Sequence, residues 1–427
     1  MFNKAWIHLA ILMIVIALLF NVNALLVLPA FLLTIIPAAW WWNRHCLDSI
    51  GYRRTFGERR AFPGEVVDLN LSVANDKLLP LGWLLVEDQW PLALPLEEGY
   101  LFPSPTGYMG LFRSAFALRW FERVSRRYRV RCTRRGFYPF GPVQLRSGDL
   151  FGLFYQRQIQ DRLDWLIVYP QVLPLEELGF PLKEPFGETK ASWRIFEDPS
   201  RAVGIRDYRP EDSLRHVHWK ATARRQDLQV KVYEPTTSQH LVIFLNVATF
   251  AKIWQGVSPL LLERAIAVAA SIGSYAVENR YLVGLVANGS IPHSDQPIKV
   301  LPSRRPDQLA RLLEALAAVT SFATASIESL LLVESPRLPW GATLVVVTAV
   351  VTDDLQATLL RLRDVGRRLV LVTLEENRGA DLSMALPGIL TYHLPASRLP
   401  FDESLMGEPE EWAPEVAPPL RFARGGS

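Results

Sequence analysis

Two cysteines in 427 residues, Cys46 and Cys132, cannot build a disulfide framework or a multi-cysteine zinc site, and this suits a reducing compartment. Neither sign of charge prevails. Lys and Arg total 46 against 43 Asp and Glu, a formal net charge of +3, so a globally basic nucleic-acid binder is not expected. The chain has no G-x-S-x-G elbow, Walker loop, H-E-x-x-H helix, Cys–His pairing or Gly-rich phosphate loop. No catalytic residue and no cofactor is therefore assigned, and the chain is not read as an enzyme. What is present is a core: 49% hydrophobic and 21% charged residues exclude wholesale disorder. At roughly 150 residues per domain the length allows two or three domains. The 13 Trp and the 31 Pro spread along the chain suggest many short strands and turns.

The first 45 residues hold two apolar runs, Ala5 to Phe20 and Ala24 to Trp42, parted by Asn21-Val22-Asn23 and no charge. Each is close to the ~20 residues that cross a bilayer as a helix. Pro29 and Pro37 are tolerable in a membrane helix, and Trp40, Trp41 and Trp42 make an aromatic anchor at one interface. Lys4 precedes the pair, and Arg44, Arg53, Arg54, Arg59 and Arg60 follow it. By the positive-inside rule both ends are cytoplasmic. A signal peptide would be shorter and would end in small residues. The expectation is a two-helix cell-membrane protein, held in the lipid bilayer through residues 5–42, with the bulk of the chain in the cytoplasm.

From Glu65 to Ala74 apolar and polar residues alternate, as in a half-buried strand, and Leu84 to Asp88 reads as a second strand. An all-β, sandwich-like module is expected over 55–175. Within it Arg123, Arg127, Arg129, Arg131 and Arg135 share one strand face, while Val124, Tyr128, Val130 and Cys132 share the other. Five guanidinium groups in a row repel unless acids lie opposite. Two readings stay open: a solvated face paired with acidic neighbours, or a face turned to anionic headgroups.

A long pattern follows. Thr133-Arg134-Arg135-Gly136-Phe137-Tyr138 runs through Gly141-Pro142-Val143 to Asp149-Leu150-Phe151-Gly152-Leu153-Phe154. Later come Gly204-Ile205-Arg206-Asp207-Tyr208-Arg209-Pro210-Glu211-Asp212 and Arg215-His216-Val217-His218-Trp219-Lys220-Ala221-Thr222-Ala223-Arg224. These segments resemble domain-of-unknown-function family 58 (DUF58) over residues 57 to 390, together with the two-helix anchor. The sequence departs from that family's pattern at Glu211, where the family has Gly, which argues against a tight positive-φ turn there. The resemblance implies a membrane protein with a von Willebrand factor A-like C-terminal domain and a MoxR-type AAA+ ATPase as partner. It implies no particular reaction.

Between Arg201 and Lys231 eight basic residues interleave with four acidic ones. That pattern favours an ion-pair network, in which Asp207 and Asp212 fix Arg206, Arg209 or Arg215, over a nucleic-acid site with Trp219 for stacking. His216 and His218 share a face on a strand, as a metal pair would, but no third ligand is near. No metal is assigned, and His218 is read as an oriented structural or partner-facing residue. The expected partner contact is Arg206, Tyr208, Asp212, Arg215, His218, Trp219, Lys220 and Arg224.

His240 to Val247 is a continuous apolar run, as in a doubly covered parallel strand, and 260–278 shows a helical apolar stripe. Further strands are expected at 282–287, 344–350 and 369–374, and helices at 306–320, 326–332 and 353–365. The alternation predicts a doubly wound α/β domain. Where von Willebrand A domains end the first strand in D-x-S-x-S and hold Mg²⁺, this chain has Asn246-Val247-Ala248-Thr249-Phe250. An amide replaces the carboxylate and the serine hydroxyls are gone, so metal-dependent adhesion is not expected.

The fold class is thus multi-domain: a transmembrane helical hairpin at 1–45, the β-sandwich-like module at 55–175, a signature segment at 176–239, the α/β domain at 240–395, and an acidic, Pro-rich, disordered tail at 396–427. The expected function is a membrane-anchored scaffold or adaptor for assembly or remodelling of an envelope or metalloenzyme complex. Two alternatives stay open. One is a metal-dependent hydrolase or nuclease using His216, His218 and Asp212. The other is an anionic-lipid or nucleic-acid binder using the Arg face.

Overall fold

The computed structural model describes residues 11–15, 19, 27–103, 109–181, 185–186, 197–209, 217–235, 240–252, 255–290, 296–375 and 386–402. The second apolar run is helical as Val27–His45 (α1), with Pro37 inside and Arg44 and His45 in the last turn. Phe31, Leu33, Trp40 and Trp41 on it are exposed. Lys77 braces the turn that follows it, donating from Nζ to Cys46 O at 2.7 Å and Asp48 O at 2.6 Å, which sets a cation just past the negative end of the helix dipole. Most of the first apolar run, the Asn21–Asn23 connection and residues 403–427 of the expected tail lie outside the described residues. Residues 396–402, expected as the start of a disordered tail, are instead ordered, because Ala396, Leu399 and Phe401 pack into the core of the C-terminal domain. Among the described residues one helix is long and apolar enough to cross a membrane, Pro259–Glu278, and 67% of that stretch is buried inside the protein. It is a core helix of the C-terminal domain.

The β module has two facing sheets and a small third one. The first joins β1 (Ile50–Phe56), β3 (Val66–Asn75) and β7 (Arg123–Arg131) in the order β1-β3-β7. The second has the order β10-β9-β4-β6-β5, with β4 at Leu81–Pro91, β5 at Leu101–Pro103, β6 at Met109–Leu118, β9 at Val143–Gly148 and β10 at Tyr155–Gln160. The third joins β2 (Arg60–Ala61), β11 (Asp164–Val168) and β8 (Gly136–Phe140). Alternation decides which side chains enter the core: Leu69, Leu71 and Val73 of β3 meet Leu84, Val86 and Trp90 of β4. Trp90 stacks edge-on against Phe140 at 4.8 Å and donates Nε1–H to Leu94 O.

This core also holds charge. Arg54, Asp88 and Asp164 are buried. Arg54 donates to Asp88 Oδ1 at 3.1 Å, and Tyr52 donates its hydroxyl to Asp88 Oδ2 at 2.6 Å. Arg54 Nε stands 3.2 Å from Asp164 Oδ2, too poorly aligned for a hydrogen bond. Burial pushes Asp88 up to about 6, although Arg54 and the Tyr52 hydroxyl pull it down. The Arg54 guanidinium presses against Gly141, at φ +100, where a Cβ would stand 2.7 Å from Nη2. Read on the sequence as a flanking positive charge, Arg54 is instead a core residue.

After β11 the chain crosses to the second domain. Tyr169, Leu175, Leu178, Phe180 and Phe186 are buried in the core of that domain. Its sheet has the order β16-β15-β14-β17-β18-β19. Strands β14 (His240–Leu245), β15 (Leu282–Ser290), β17 (Thr343–Thr348), β18 (Arg368–Thr373) and β19 (Leu390–His393) pair in parallel, and β16 (Pro297–Ser303) is an antiparallel edge. Alternate residues of β14 enter different cores. Leu241, Ile243 and Leu245 pack under the helices at Pro259–Glu278 and Gln308–Ala317. Val242 and Phe244 pack under Ile327–Glu334 and Asp353–Asp364 on the other face. Coverage on both faces is why the strands read as unbroken apolar runs. The segment before this sheet forms a hairpin of β12 (Glu197–Asp207) and β13 (Gln229–Pro235), with a short helix, Trp219–Arg225, between them.

The two domains are clamped together by Arg135. Its Nε donates to both oxygens of Glu263 at 2.9 and 2.8 Å. Its Nη1 donates to Leu316 O, Ala317 O and Val319 O at 2.9, 3.1 and 3.0 Å, capping the end of the Gln308–Ala317 helix. Arg60 adds an ion pair to Glu314 at 2.6 Å. The Tyr138 hydroxyl, two residues past Gly136, donates to Arg134 O at 2.9 Å and fixes the turn that aims Arg135.

Candidate partner-binding site

The signature segment is held together by polar groups. Register pairs Asp207 with Gln229 and Ile205 with Lys231. Gln229 is buried; its Nε2 donates to Asp207 Oδ1 at 2.6 Å, its backbone N–H donates to Thr222 Oγ1 at 3.0 Å, and its carbonyl accepts from His218 N at 2.7 Å. His218 is the N-cap of the Trp219–Arg225 helix, its Nδ1 accepting from Ala221 N at 3.1 Å. In the neutral ring this leaves the proton on Nε2. The helix ends at Gln226, whose φ of +59 is left-handed and whose N–H returns to Thr222 O. None of the helix's residues is buried.

That lattice presents a mixed surface. Trp219 is 70% exposed, and Ile205 and Leu228 of the same segment are exposed too. Arg206, Arg209, Lys220, Arg224 and Arg225 are exposed as well, and Tyr208 is half-buried. Asp212, Arg215, His216 and the Glu211 turn lie outside the described residues, as does the Lys231 side chain. Of the expected network, Asp207 is present and accepts from Gln229 Nε2. Gln229 carried no signal in the sequence, since an isolated Gln marks nothing, and Thr222 entered only as a member of the quoted pattern.

A second polar site lies at the carboxyl ends of the central strands, where β14 leads to β15 on one side and β17 lies on the other. Open α/β sheets bind ligands at such points. Here side-chain amides fill it. Asn246 donates from Nδ2 to Thr348 Oγ1 at 3.0 Å, and its Oδ1 accepts from Asn288 Nδ2 at 2.9 Å and from Ala248 N at 3.1 Å. Asn288 Oδ1 accepts from Val247 N at 2.8 Å. Thr348 donates its hydroxyl to Val350 O at 2.7 Å, and Thr249 Oγ1 accepts from Ser258 N at 2.6 Å. All three central side chains are buried. The oxygens that a cation would need are engaged with each other and with the backbone. Asp353 and Asp354 instead sit in the first turn of the Asp353–Asp364 helix, whose N-cap is Thr352. Among the described residues no three His, Cys, Asp or Glu converge as metal ligands.

The arginine strand resolves into two kinds of residue. Arg127 forks onto Asp68, Arg129 reaches Glu97 and Glu98 at 3.4 Å, and Arg131 reaches Glu97 at 3.3 Å. Arg123, the first residue of β7, is exposed. Arg135 corrects the expected strand face: β7 ends at Arg131, the chain turns at 133–135, and the side chain is only 8% exposed inside the domain clamp. Arg126, on the apolar side of the strand, lies over the Phe116 ring at 4.3 Å and donates to Ser114 Oγ and Ala115 O.

The solved structures that resemble part of the chain include the CARDB domain of the PF1109 protein from Pyrococcus furiosus, solved with di-metal ions. It is 8% identical and aligns over 28% of this chain and 92% of its own, with a TM-score of 0.20. A cohesin module from a family 33 glycoside hydrolase of Clostridium perfringens is 8% identical over 27% of this chain and 96% of its own, with a TM-score of 0.21. Likeness at that level carries no argument about fold or function. In sequence the chain is 26% identical over 346 residues, 79% of each chain, to the uncharacterized protein YeaD of Bacillus subtilis. Residues 204–390, from within β12 through the Trp219–Arg225 helix to the first residue of β19, match the family described as Protein of unknown function DUF58.

Proposed function

We propose that the protein is a membrane-anchored adaptor that docks a protein partner on the Trp219–Arg225 helix and its hairpin. The observation that supports this most is the contrast within that element. Buried Gln229 and the His218 cap hold a helix that buries none of its own residues and turns Trp219 outward among arginines. Trp and Arg dominate protein-interface hot spots, and rigid presentation lowers the ordering cost of binding. The exposed apolar side of α1 supports the anchor, with the bulk of the chain on the cytoplasmic side. The partner class, a MoxR-type AAA+ ATPase, rests on the resemblance to the family. A von Willebrand A-like character for the second domain is supported by its strand order and its antiparallel third strand. The amide-filled site at the carboxyl ends of the central strands favours an adaptor that recognises its partner without a metal bridge.

The test is copurification from native membranes in detergent, with and without ATP. Wild type is expected to carry an ATPase, and a folded Trp219→Ala, Arg224→Glu variant is expected to lose it. An ATPase retained by the variant would remove this surface from the reading, and an ATPase absent from both would remove the adaptor reading itself.

A further inference from the structure

Strand register places one set of loops around the point where α1 joins the β module. Ile50, the first residue of β1, pairs with Asn75 at the end of β3, and Ala74 pairs with Arg123 at the start of β7. Leu81 at the start of β4 pairs with Leu118 at the end of β6. Leu84 pairs with Ser147 near the end of β9, and Gly148 pairs with Tyr155 at the start of β10. The loops at 76–80, 119–122 and 149–154 therefore share one end of the module, the end the helix enters. Lys77 ties the first loop to the helix terminus, and Cys46 Sγ lies 3.8 Å from Gln156 Oε1 of β10.

These loops turn apolar side chains outward. Leu78 is 75% exposed, Trp120 62%, Phe121 65% and Phe151 61%. Leu150, Leu153 and Tyr155 are exposed as well. Buried polar residues stiffen the loops in this state. Asn75 donates to Leu79 O and Arg119 O at 3.0 and 2.8 Å, joining the first loop to the second. Asp149 is buried and accepts from Phe151 N, Leu153 N and Phe154 N at 2.9, 3.2 and 2.6 Å, which shapes the third. Buried polar groups committed to loops that expose leucine, tryptophan and phenylalanine mark a contact surface. Its outer charges are mixed, with Arg44, Arg119 and Arg123 exposed at this end beside Asp48 and Asp76.

We infer that this crown of loops seats in the boundary between headgroups and acyl chains of the bilayer that holds α1, and so fixes how the β module stands on the membrane. The inference rests on the membrane-anchor reading. The apolar face of α1 and its Trp40 and Trp41 lead directly into the ring of loops, so lipid is the surface already adjacent. Tryptophan and phenylalanine with flanking arginines are the side chains that partition to that boundary and to anionic headgroups. The arginine pairs at Arg127, Arg129 and Arg131 are spread along β7 toward the far end, so the contact differs from the one expected on the sequence, and of that set only Arg123 belongs to it.

Spin labels on single introduced cysteines in the full chain test this, since native Cys46 and Cys132 are buried. The chain is placed in nanodiscs of zwitterionic and anionic phospholipid, with labels at Phe31→Cys, Trp120→Cys, Phe151→Cys and, at the far end, Arg59→Cys. Accessibility to oxygen and to a water-soluble nickel chelate is then read. The expected result is Phe31 in hydrocarbon, 120 and 151 shielded several-fold from nickel yet open to oxygen, and 59 open to nickel. Phe31 in hydrocarbon with 120 and 151 as nickel-accessible as 59 overturns the crown and leaves the anchor. Loops shielded from both probes indicate a protein contact and overturn it too. Nickel access at Phe31 overturns the anchor and the crown together.

Discussion

Replacing Arg135 by Ala should weaken the joint between the two domains more than any surface change. The side chain is 8% exposed and its partner Glu263 13%. Truncation leaves the Glu263 carboxylate and the carbonyls of Leu316, Ala317 and Val319 without their cation. Breaking a buried pair by removing one partner costs about 3–5 kcal/mol, and a cation at a helix C-terminus contributes up to about 2 kcal/mol of that kind of energy. Water can reach Glu263 in part, so the lower end applies, about 3 kcal/mol. The assay is hydrogen exchange on the full chain in detergent, read on the Gln308–Ala317 helix and the start of Pro259–Glu278. Arg135→Ala should speed exchange there by roughly two orders of magnitude, since each 1.4 kcal/mol is tenfold. Arg135→Lys keeps the charge but not the fork, and should fall between. In a double-mutant cycle Glu263→Ala should be far from additive with Arg135→Ala. An unchanged exchange profile in Arg135→Ala, or strict additivity with Glu263→Ala, would refute the clamp.

Three further outcomes follow from the geometry. Asp88 lies above its ordinary 3.8, at about 6. The folded chain thus holds this proton more tightly, so its contribution is full below about pH 4 and is lost as pH rises through about 6. That amounts to roughly 3 kcal/mol, and Asp88→Asn should flatten the slope in denaturation of the β module between those values. Asn288→Ala strips Val247 N and Asn246 Oδ1 of buried partners and should cost about 1–3 kcal/mol in thermal denaturation, whereas a cost near zero would mean that water replaces the amide. His218→Ala removes an N-cap and should cost the Trp219–Arg225 helix about 1 kcal/mol, with His218→Asn restoring most of it, read as local hydrogen exchange at Ala221.

The elements most legible in the sequence were those whose period reports burial. β14, β17 and β18 are covered on both faces and read as unbroken apolar runs, and β3 is covered on one face and alternates. The edge strand β16 was missed because Pro297, Lys299 and Pro302 look like a loop, and β19 because it spans four residues. Asn246 was readable as an amide where a cation site would need a carboxylate. What makes the amide fit is Asn288 on the neighbouring strand, a pairing that local pattern cannot carry. Arg135 was misplaced because alternation was extended past the end of β7 into the turn at 133–135. The partners of Arg129 and Arg131 come from a different part of the chain, where a bridge between Leu96 and Val130 brings Glu97 and Glu98 alongside. Exposure of Trp219 could not be read at all, since a tryptophan between His218 and Lys220 suits a core as well as a surface.

The proposed adaptor function is tested most directly by a photo-crosslinking amino acid in place of Trp219, introduced into the protein in its native cells. The expected product is a covalent adduct with a AAA+ ATPase that varies with nucleotide state. Crosslinks confined to the protein's own chain or to lipid, with the anchored protein intact, would contradict it.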